Sequence, residues 1–286
     1  MLLYYISMST TTYSASRIST FQGCKLRYAL QYKKGYYAEE TQQNVLTRKG
    51  IAFHTLAENY DPLWTDEQLD KFRLDLEEKY KIPEEYSLAL PAKKFKRFYD
   101  NELAVCAHNG GTVLKEVEFK FTLEGHSFTG KLDVLLQYPN GEFKIVDYKT
   151  GKSSNTSYYT AQMMLYVYAT AQQYNIPREE IVDRISVQLF FPLAEITGED
   201  LLNYTKVFKK VKFSLATFDE EIEKFTTEVK NIEGVWEPEA NLTKLCDWCP
   251  FIGRAQYCDL SFKSGLLPTR GVIIKQRDWA IKAGIK

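Results

Sequence analysis

Residues 130–150 read GKLDVLLQYPNGEFKIVDYKT, and the fold follows from how this stretch is parsed. Val134 to Leu136 and Phe143 to Val146 are short, largely apolar runs whose side chains alternate between two faces, the pattern of interior strands. Pro139-Asn140-Gly141 between them is a strong hairpin signal. The second run ends at Asp147 and Lys149, two residues apart and therefore on one face of the extended chain. Burying either charge unpaired costs several kcal/mol, so an interior strand needs a reason to end this way. A salt-bridged pair at a strand end is the plain reading; a site that uses both charges is the other.

The hairpin makes a geometric demand. A two-residue Asn140-Gly141 turn pairs Asp133 with Tyr148 and puts Asp133 on the face opposite Asp147, because a register shift of one reverses every side chain. For Asp133 to join Asp147 and Lys149, the connection must hold three or five residues or contain a bulge. Asn140-Gly141-Glu142 is the expected three-residue loop.

Working outward, residues 113–121 (VLKEVEFKF) alternate Val117, Phe119 and Phe121 with Glu116, Glu118 and Lys120, a half-buried strand. Further strands are expected at 127–137, 142–148 and 184–191, with helices at about 157–174 and 214–230. Upstream, residues 14–34 read as a helix behind a serine cap, with Cys24 in or near it. Residues 45–60 read as a second helix carrying His54 and Glu58 at i, i+4. The span from 66 to about 108 is charged and helical, broken near Pro83 and Pro91. The order predicts an α/β (α+β) core with helices on a mixed sheet. The expected organisation is one domain over 1–286, with 61–112 a helical insertion or cap, 113–191 the core, and 240–262 a cysteine segment.

A hydrophobic content of 44% and an aromatic content of 14% over 286 residues exclude a disordered chain. The net charge of +0 excludes little, because local basic clusters remain. These are Lys93, Lys94, Lys96 and Arg97; Lys206, Lys209, Lys210 and Lys212; and Arg270, Lys275, Arg277 and Lys282. Taken singly, each is an ordinary solvated face. No stretch approaches the roughly 20 apolar residues that span a bilayer, so no membrane partner is expected. The opening MLLYYISM lacks the basic start and cleavage site of a signal peptide, and with Met8 close behind it reads as an untidy start. The expected location is the cytoplasm, where thiols stay reduced.

Asp133, Asp147 and Lys149, with His54 on an earlier helix, form a candidate constellation. Two carboxylates with carbonyl oxygen and water suit Mg2+ or Mn2+. Such an ion polarises a phosphoryl oxygen and acidifies a bound water, and a lysine beside it offsets charge in the transition state. GKLD (130–133), thirteen residues, then DYK (147–149) resembles the PD-(D/E)XK nuclease motif, with Asp as the second acid. QMMLY (Gln162 to Tyr166) is similar to the QxxxY motif of the RecB-like branch, and GIAFH (Gly50 to His54) to its upstream histidine motif. Glu116 resembles the glutamate of the first core strand, with Glu118 the alternative. The resemblance spans about residues 14–260. It implies a restriction-endonuclease-like core in which His54, Asp133, Asp147 and the Tyr148 carbonyl hold the metal and Lys149 is catalytic. It also implies that Gln162 and Tyr166 steady the water, Lys149 or the DNA backbone. His108 and His126 have no motif around them and read as structural.

Cys246, Cys249 and Cys258 lie in KLCDWCPFIGRAQYC, a C-x2-C followed by eight intervening residues and a third cysteine. In a reducing compartment C-x2-C points to metal ligation, and Cys24 is the natural fourth ligand. Cys106 is the odd one out and reads as a buried apolar residue. One cysteine before the core and three after it resembles the iron–sulfur nucleases, the CRISPR-associated RecB-like exonucleases and the AddB nuclease domain among them. That resemblance implies a 4Fe–4S cluster; structural Zn2+ on four cysteines is the alternative, and spacing does not separate the two. The leading functional expectation is a DNA exonuclease on single strands or ends, with recombination, replication or CRISPR-adaptation proteins as partners. The 20 tyrosines and 17 phenylalanines would supply stacking surfaces beyond those in the core. An inactive iron–sulfur end-binding or scaffold subunit is the alternative, and a zinc-stapled structural protein a third.

Overall fold

The computed structural model describes residues 11–38, 45–151, 155–196, 200–243, 246, 249–252, 254, 256–258 and 273–285. The opening MLLYYISM, Arg270 and parts of the 240–262 segment lie outside the described residues. In chain order the first elements are β1 (Thr12–Tyr13), α1 (Ala15–Gly23), α2 (Lys25–Tyr28), β2 (Tyr36–Ala38), α3 (Val45–Asn59), α4 (Asp66–Lys79), α5 (Ala89–Phe98) and α6 (Ala104–His108). There follow β3 (Thr112–Leu123), β4 (His126–Gln137), β5 (Phe143–Tyr148), α7 (Thr160–Gln173), α8 (Ile181–Arg184) and β6 (Ile185–Phe190). The last are β7 (Phe208–Val211), α9 (Leu215–Glu233), β8 (Ile274–Gln276) and α10 (Asp278–Lys282). They group into two compact units, one of residues 44–121 and 130–222, the other of 1–43, 122–129 and 223–286. The reading of the sequence as one domain drew no such division.

In the first of these, the central unit, β4 and β5 form the expected antiparallel hairpin. β5 and β6 run parallel, joined through α7, and β7 returns antiparallel to β6. β3 also pairs with β4, so the sheet is mixed and flanked by helices, as the alternation of periods predicts.

The hairpin loop holds three residues, but not the three expected. Val134 faces Val146 and Gln137 faces Phe143. Tyr138 N–H donates to the Glu142 carbonyl at 2.9 Å and Gly141 N–H to the Tyr138 carbonyl at 3.0 Å, so the loop is Pro139-Asn140-Gly141. Gly141, at φ 82°, takes the left-handed position that closes this type of loop, and Asn140 Oδ1 accepts from Glu142 N–H. One step beyond Val134 and Val146, the register sets Asp133 opposite Asp147.

The strand end is fixed from beneath. The Tyr148 ring is buried in a cage of Phe53, Phe95, Phe98 and Phe190, with ring centroids 5.7–6.1 Å from its own. Phe98 stacks on Phe190 at 4.6 Å. Because side chains alternate along a strand, anchoring Tyr148 on this side commits Asp147 and Lys149 to the other.

Two helical expectations are corrected. Pro91 does not break a helix; it sits in the first turn of α5, where its missing N–H has no helical partner to lose. The 14–34 helix is interrupted at Cys24, whose extended backbone (φ −164°, ψ 108°) ends α1 and whose Sγ accepts from Arg27 N–H at 3.4 Å to cap α2. The serine cap is present, with Ser14 Oγ accepting from Arg17 N–H. In the second of the two units, the peripheral unit, β1 pairs parallel with Ser127 and Phe128, and β2 pairs antiparallel with β8. None of the described helices is long and apolar enough to cross a membrane.

Candidate active site and cysteine cavity

Three elements of the central unit bring His54, Glu116 and Asp133 together. Their ligand atoms all lie within 4.8 Å of one another, the only such group among the described residues. His54 Nδ1 stands 3.5 Å from Asp133 Oδ1, and Asp133 Oδ2 accepts from the backbone N–H of Tyr148 at 2.6 Å. Burial lowers the pKa of His54, but Asp133 beside it, with Asp147 and Glu116 behind, outweighs that and raises it overall.

Glu116 rather than Glu118 joins this group. Its backbone is left-handed (φ 53°) in the middle of β3, an unusual state for a residue with a Cβ, and it ion-pairs with Lys131. Glu118, two residues on in regular strand, is exposed. The local inversion accounts for the different placement of two glutamates that alternation alone makes equivalent.

Asp147 is engaged differently from the resemblance's ligand set. It is 4% exposed, and its Oδ2 lies 2.6 Å from Lys149 Nζ. The contact is an ion pair in distance but not in hydrogen-bond alignment, which leaves this buried oxygen without a directed donor. Burial pushes the Asp147 carboxyl up, Lys149 pulls it down and Asp133 pushes it up again, to about 6. Lys149 Nζ also donates to Gln162 Oε1 at 2.7 Å and sits 4.7 Å from the Tyr159 ring centroid. Gln162 Nε2 donates in turn to the Tyr166 hydroxyl at 2.7 Å, one turn along α7. Burial raises the Tyr166 pKa, so the hydroxyl stays neutral. Lys149 is thus held from three sides.

The residues fit a hard divalent ion. One imidazole and the carboxylates are an N/O donor set, and a buried carboxylate oxygen with no aligned donor is a lone pair awaiting a partner. Sequence reasoning missed Lys131 and Tyr159. Lys131 shares the strand face of Asp133 at i−2, a signal that was there to use; Tyr159 precedes α7 with no periodic signature. Gly50, the first residue of GIAFH, packs against Thr150: a Cβ there would stand 2.7 Å from Thr150 Oγ1. His108 is exposed at the end of α6, and His126 pairs with Glu233 at 3.2 Å.

In the peripheral unit, Cys24, Cys246, Cys249 and Cys258 line one cavity of about 260 Å³. Three of the sulfurs accept backbone N–H bonds: Cys24 from Arg27, Cys246 from Thr243 at 3.3 Å, and Cys249 from Phe251. Burial raises the Cys249 thiol pKa, opposed by the Phe251 N–H and by Arg27, with Cys24 and Cys258 adding to the rise. No three of the four sulfurs come within 4.8 Å of one another. Cys106 is buried on α6, its Sγ 3.9 Å from the Gln137 carbonyl, outside this cavity.

Residues 12–255 match the model of the PD-(D/E)XK nuclease superfamily. The chain belongs to that superfamily. Its mixed α/β core is the restriction-endonuclease-like fold, and its members use divalent metals with DNA as the implied substrate class. Similar solved structures include a candidate exonuclease from Eubacterium rectale, 14% identical, covering 86% of this chain and 92% of that one with a TM-score of 0.49. Another is SSO0001, 13% identical, covering 73% and 96% with a TM-score of 0.28. A comparison with curated proteins finds no match.

Proposed function

We propose that the protein is a Mg2+- or Mn2+-dependent DNA exonuclease acting on single strands or strand ends, with a 4Fe–4S cluster in its peripheral unit. The observation that carries the nuclease reading is Lys149, fixed by Asp147, Gln162 and Tyr159 one strand away from the His54–Glu116–Asp133 group. His54, Glu116, Asp133 and Asp147, with the Tyr148 carbonyl, would hold the metal. When bound, the ion supplies Lewis-acid polarisation of the scissile phosphate and an acidified water. Lys149 positions the attacking water and offsets charge gathering on the phosphate oxygens. Gln162 holds the lysine's direction, and the neutral Tyr166 hydroxyl holds Gln162.

The cluster is favoured over zinc by the spacing of the sulfurs. Tetrahedral Zn–S bonds of about 2.3 Å draw four sulfurs to roughly 3.8 Å of one another. No three of the thiols here come within 4.8 Å of one another, they line an open cavity, and backbone N–H groups already aim at three of them, as suits the thiolate ligands of a cluster.

The test is digestion of linear single-stranded, linear duplex and circular DNA, labelled at either end, with and without metal. Wild type should need metal, spare the circles and release one label first. Lys149→Ala should lose on the order of a thousandfold in rate while still binding DNA. Binding without cutting in both proteins leaves an end-binding subunit instead. Iron and acid-labile sulfide content decide the cluster; bound zinc without iron defeats it.

A further inference from the structure

The peripheral unit has a second cavity, of about 390 Å³, lined by Arg17, Tyr32, Tyr36, Tyr37, Arg277 and Trp279. Among the described residues no carboxylate lines it or pairs with either arginine. Its frame is the β2–β8 pair, where Tyr37 faces Lys275 and Tyr36 faces Gln276. Gln276 Nε2 donates to the carbonyls of Lys34 and Ile285, each at 2.8 Å, and Arg277 N–H donates to the Gly35 carbonyl at 2.9 Å. The strand ends that present Tyr37 and Arg277 are therefore tied down by backbone and side chain together.

The two arginines differ in what already occupies them. Arg17 donates to the Thr12 carbonyl and the Tyr28 hydroxyl, and its guanidinium lies 4.8 Å from the Tyr32 ring centroid. Folding alone accounts for Arg17. It does not account for Arg277, exposed and resting 5.6 Å from the Tyr37 ring centroid, nor for Trp279 beside it, an indole 47% exposed. Flat aromatic faces in water next to an uncompensated guanidinium are the parts of a site for an anionic chain carrying flat groups.

We infer that this cavity binds a segment of unpaired DNA. Tyr37 and Trp279 stack bases, and Arg277, with Arg17 behind it, faces the phosphates. The inference rests on the DNA-nuclease reading for its choice of nucleic acid, and it adds a holding site outside the catalytic unit.

Fluorescence anisotropy of end-labelled oligo(dT), measured in full-length Lys149→Ala protein so that the strand survives, tests it. Trp279→Ala and Arg277→Gln should each weaken binding about tenfold. Arg277→Gln should also lower the slope of log affinity against log salt by about 0.7, the share of one phosphate contact on a single strand, and Arg277→Lys should restore it. An abasic strand of the same length should bind the Trp279→Ala and parent proteins alike. Tyr37→Leu is the second stacking variant should Trp279→Ala melt early. Unchanged affinity in the variants, or equal losses for abasic and normal strands, overturns the inference. So does tighter binding of a duplex of equal length. Cleavage by wild type and binding by these variants are read separately, so a nuclease that cuts with an idle cavity is distinguishable from a strand binder that never cuts.

Discussion

His54, Glu116 and Asp133 sit on elements that a large apolar core holds in place, whereas Cys24, Cys246, Cys249 and Cys258 line a cavity beside a smaller apolar cluster. Around the first group, Phe53 and Tyr148 are buried in the aromatic cage, and Val134, Ile145 and Val146 are inaccessible to solvent. Beside the thiols, the apolar cluster among the described residues has only Leu30, Phe251 and Cys258 as buried members. The two proposed ligand sets therefore differ in degree: the first is packed in place before any ion arrives, and ligation at the second, present only in the folded state, would add directly to stability.

The sharpest way to break that contrast is to remove one ligand from each side. Cys246→Ala should lose iron and sulfide and destabilise the peripheral unit by several kcal/mol, because the link from Cys24 to Cys246 closes a loop of more than 200 residues. Hydrogen exchange should then rise across 11–38 and 223–243, while 44–121 and 130–222 stay protected. Asp133→Ala should abolish cleavage with both units still protected. A Cys246→Ala protein with normal iron content and an unchanged melting temperature defeats the idea that the cysteines form a staple.

A smaller effect separates an ion that completes a charged site from one that creates a fold. Burial lifts Asp147 from the ordinary 3.8 to about 6, with Lys149 opposing and Asp133 reinforcing the rise. A raised carboxyl pKa favours the folded protein while protonated. That contribution is full below pH 3.8 and gone once the pH has risen through about 6. Above pH 6 the metal-free protein carries a buried carboxylate that Lys149 only partly offsets, and a divalent ion would relieve the rest. Below pH 6 the ion must displace a proton, and the raised His54 acts in the same direction. The rise in melting temperature caused by Mn2+ should therefore be largest near pH 8 and shrink through pH 6. A shift that is flat from pH 5 to 8 excludes Asp147 from the metal's surroundings.

The two regions also differ in how far the sequence betrayed them. The Asp133–Asp147–Lys149 constellation was legible because strand direction has period two, and any odd loop brings the three to one face. Which three residues made that loop was harder to read: Pro139-Asn140-Gly141 signals the turn, but the signal does not fix whether Pro139 or Glu142 is the loop's third member. The choice of Glu116 over Glu118 depends on a backbone inversion that leaves the alternation of neighbouring residues intact. The break at Cys24 hid inside a continuous helical pattern, because the cysteine caps the next helix as a serine would. β2 and β8 join opposite ends of the sequence, and three-residue strands leave no periodic trace.

Gly50→Ala is the finest probe of the preorganised side. The glycine lies on α3, one turn before His54, and the missing Cβ leaves room for Thr150, which directly follows Lys149. An added methyl at 2.7 Å from Thr150 Oγ1 forces either Thr150 to turn or the helix to lift. Overpacking of this kind costs about 1–3 kcal/mol, and alanine's better helix propensity returns about 1, so the melting temperature should fall by no more than a few degrees. The geometry should suffer more than the stability: His54 and Lys149 part, and cleavage falls roughly tenfold, with the loss concentrated in kcat at saturating Mn2+. Adding Thr150→Ala removes the atom that clashes and should recover most of the rate, the pair being non-additive because the two residues touch. If the double variant is no faster than Gly50→Ala alone, close packing of α3 on the strand end is not what places the histidine.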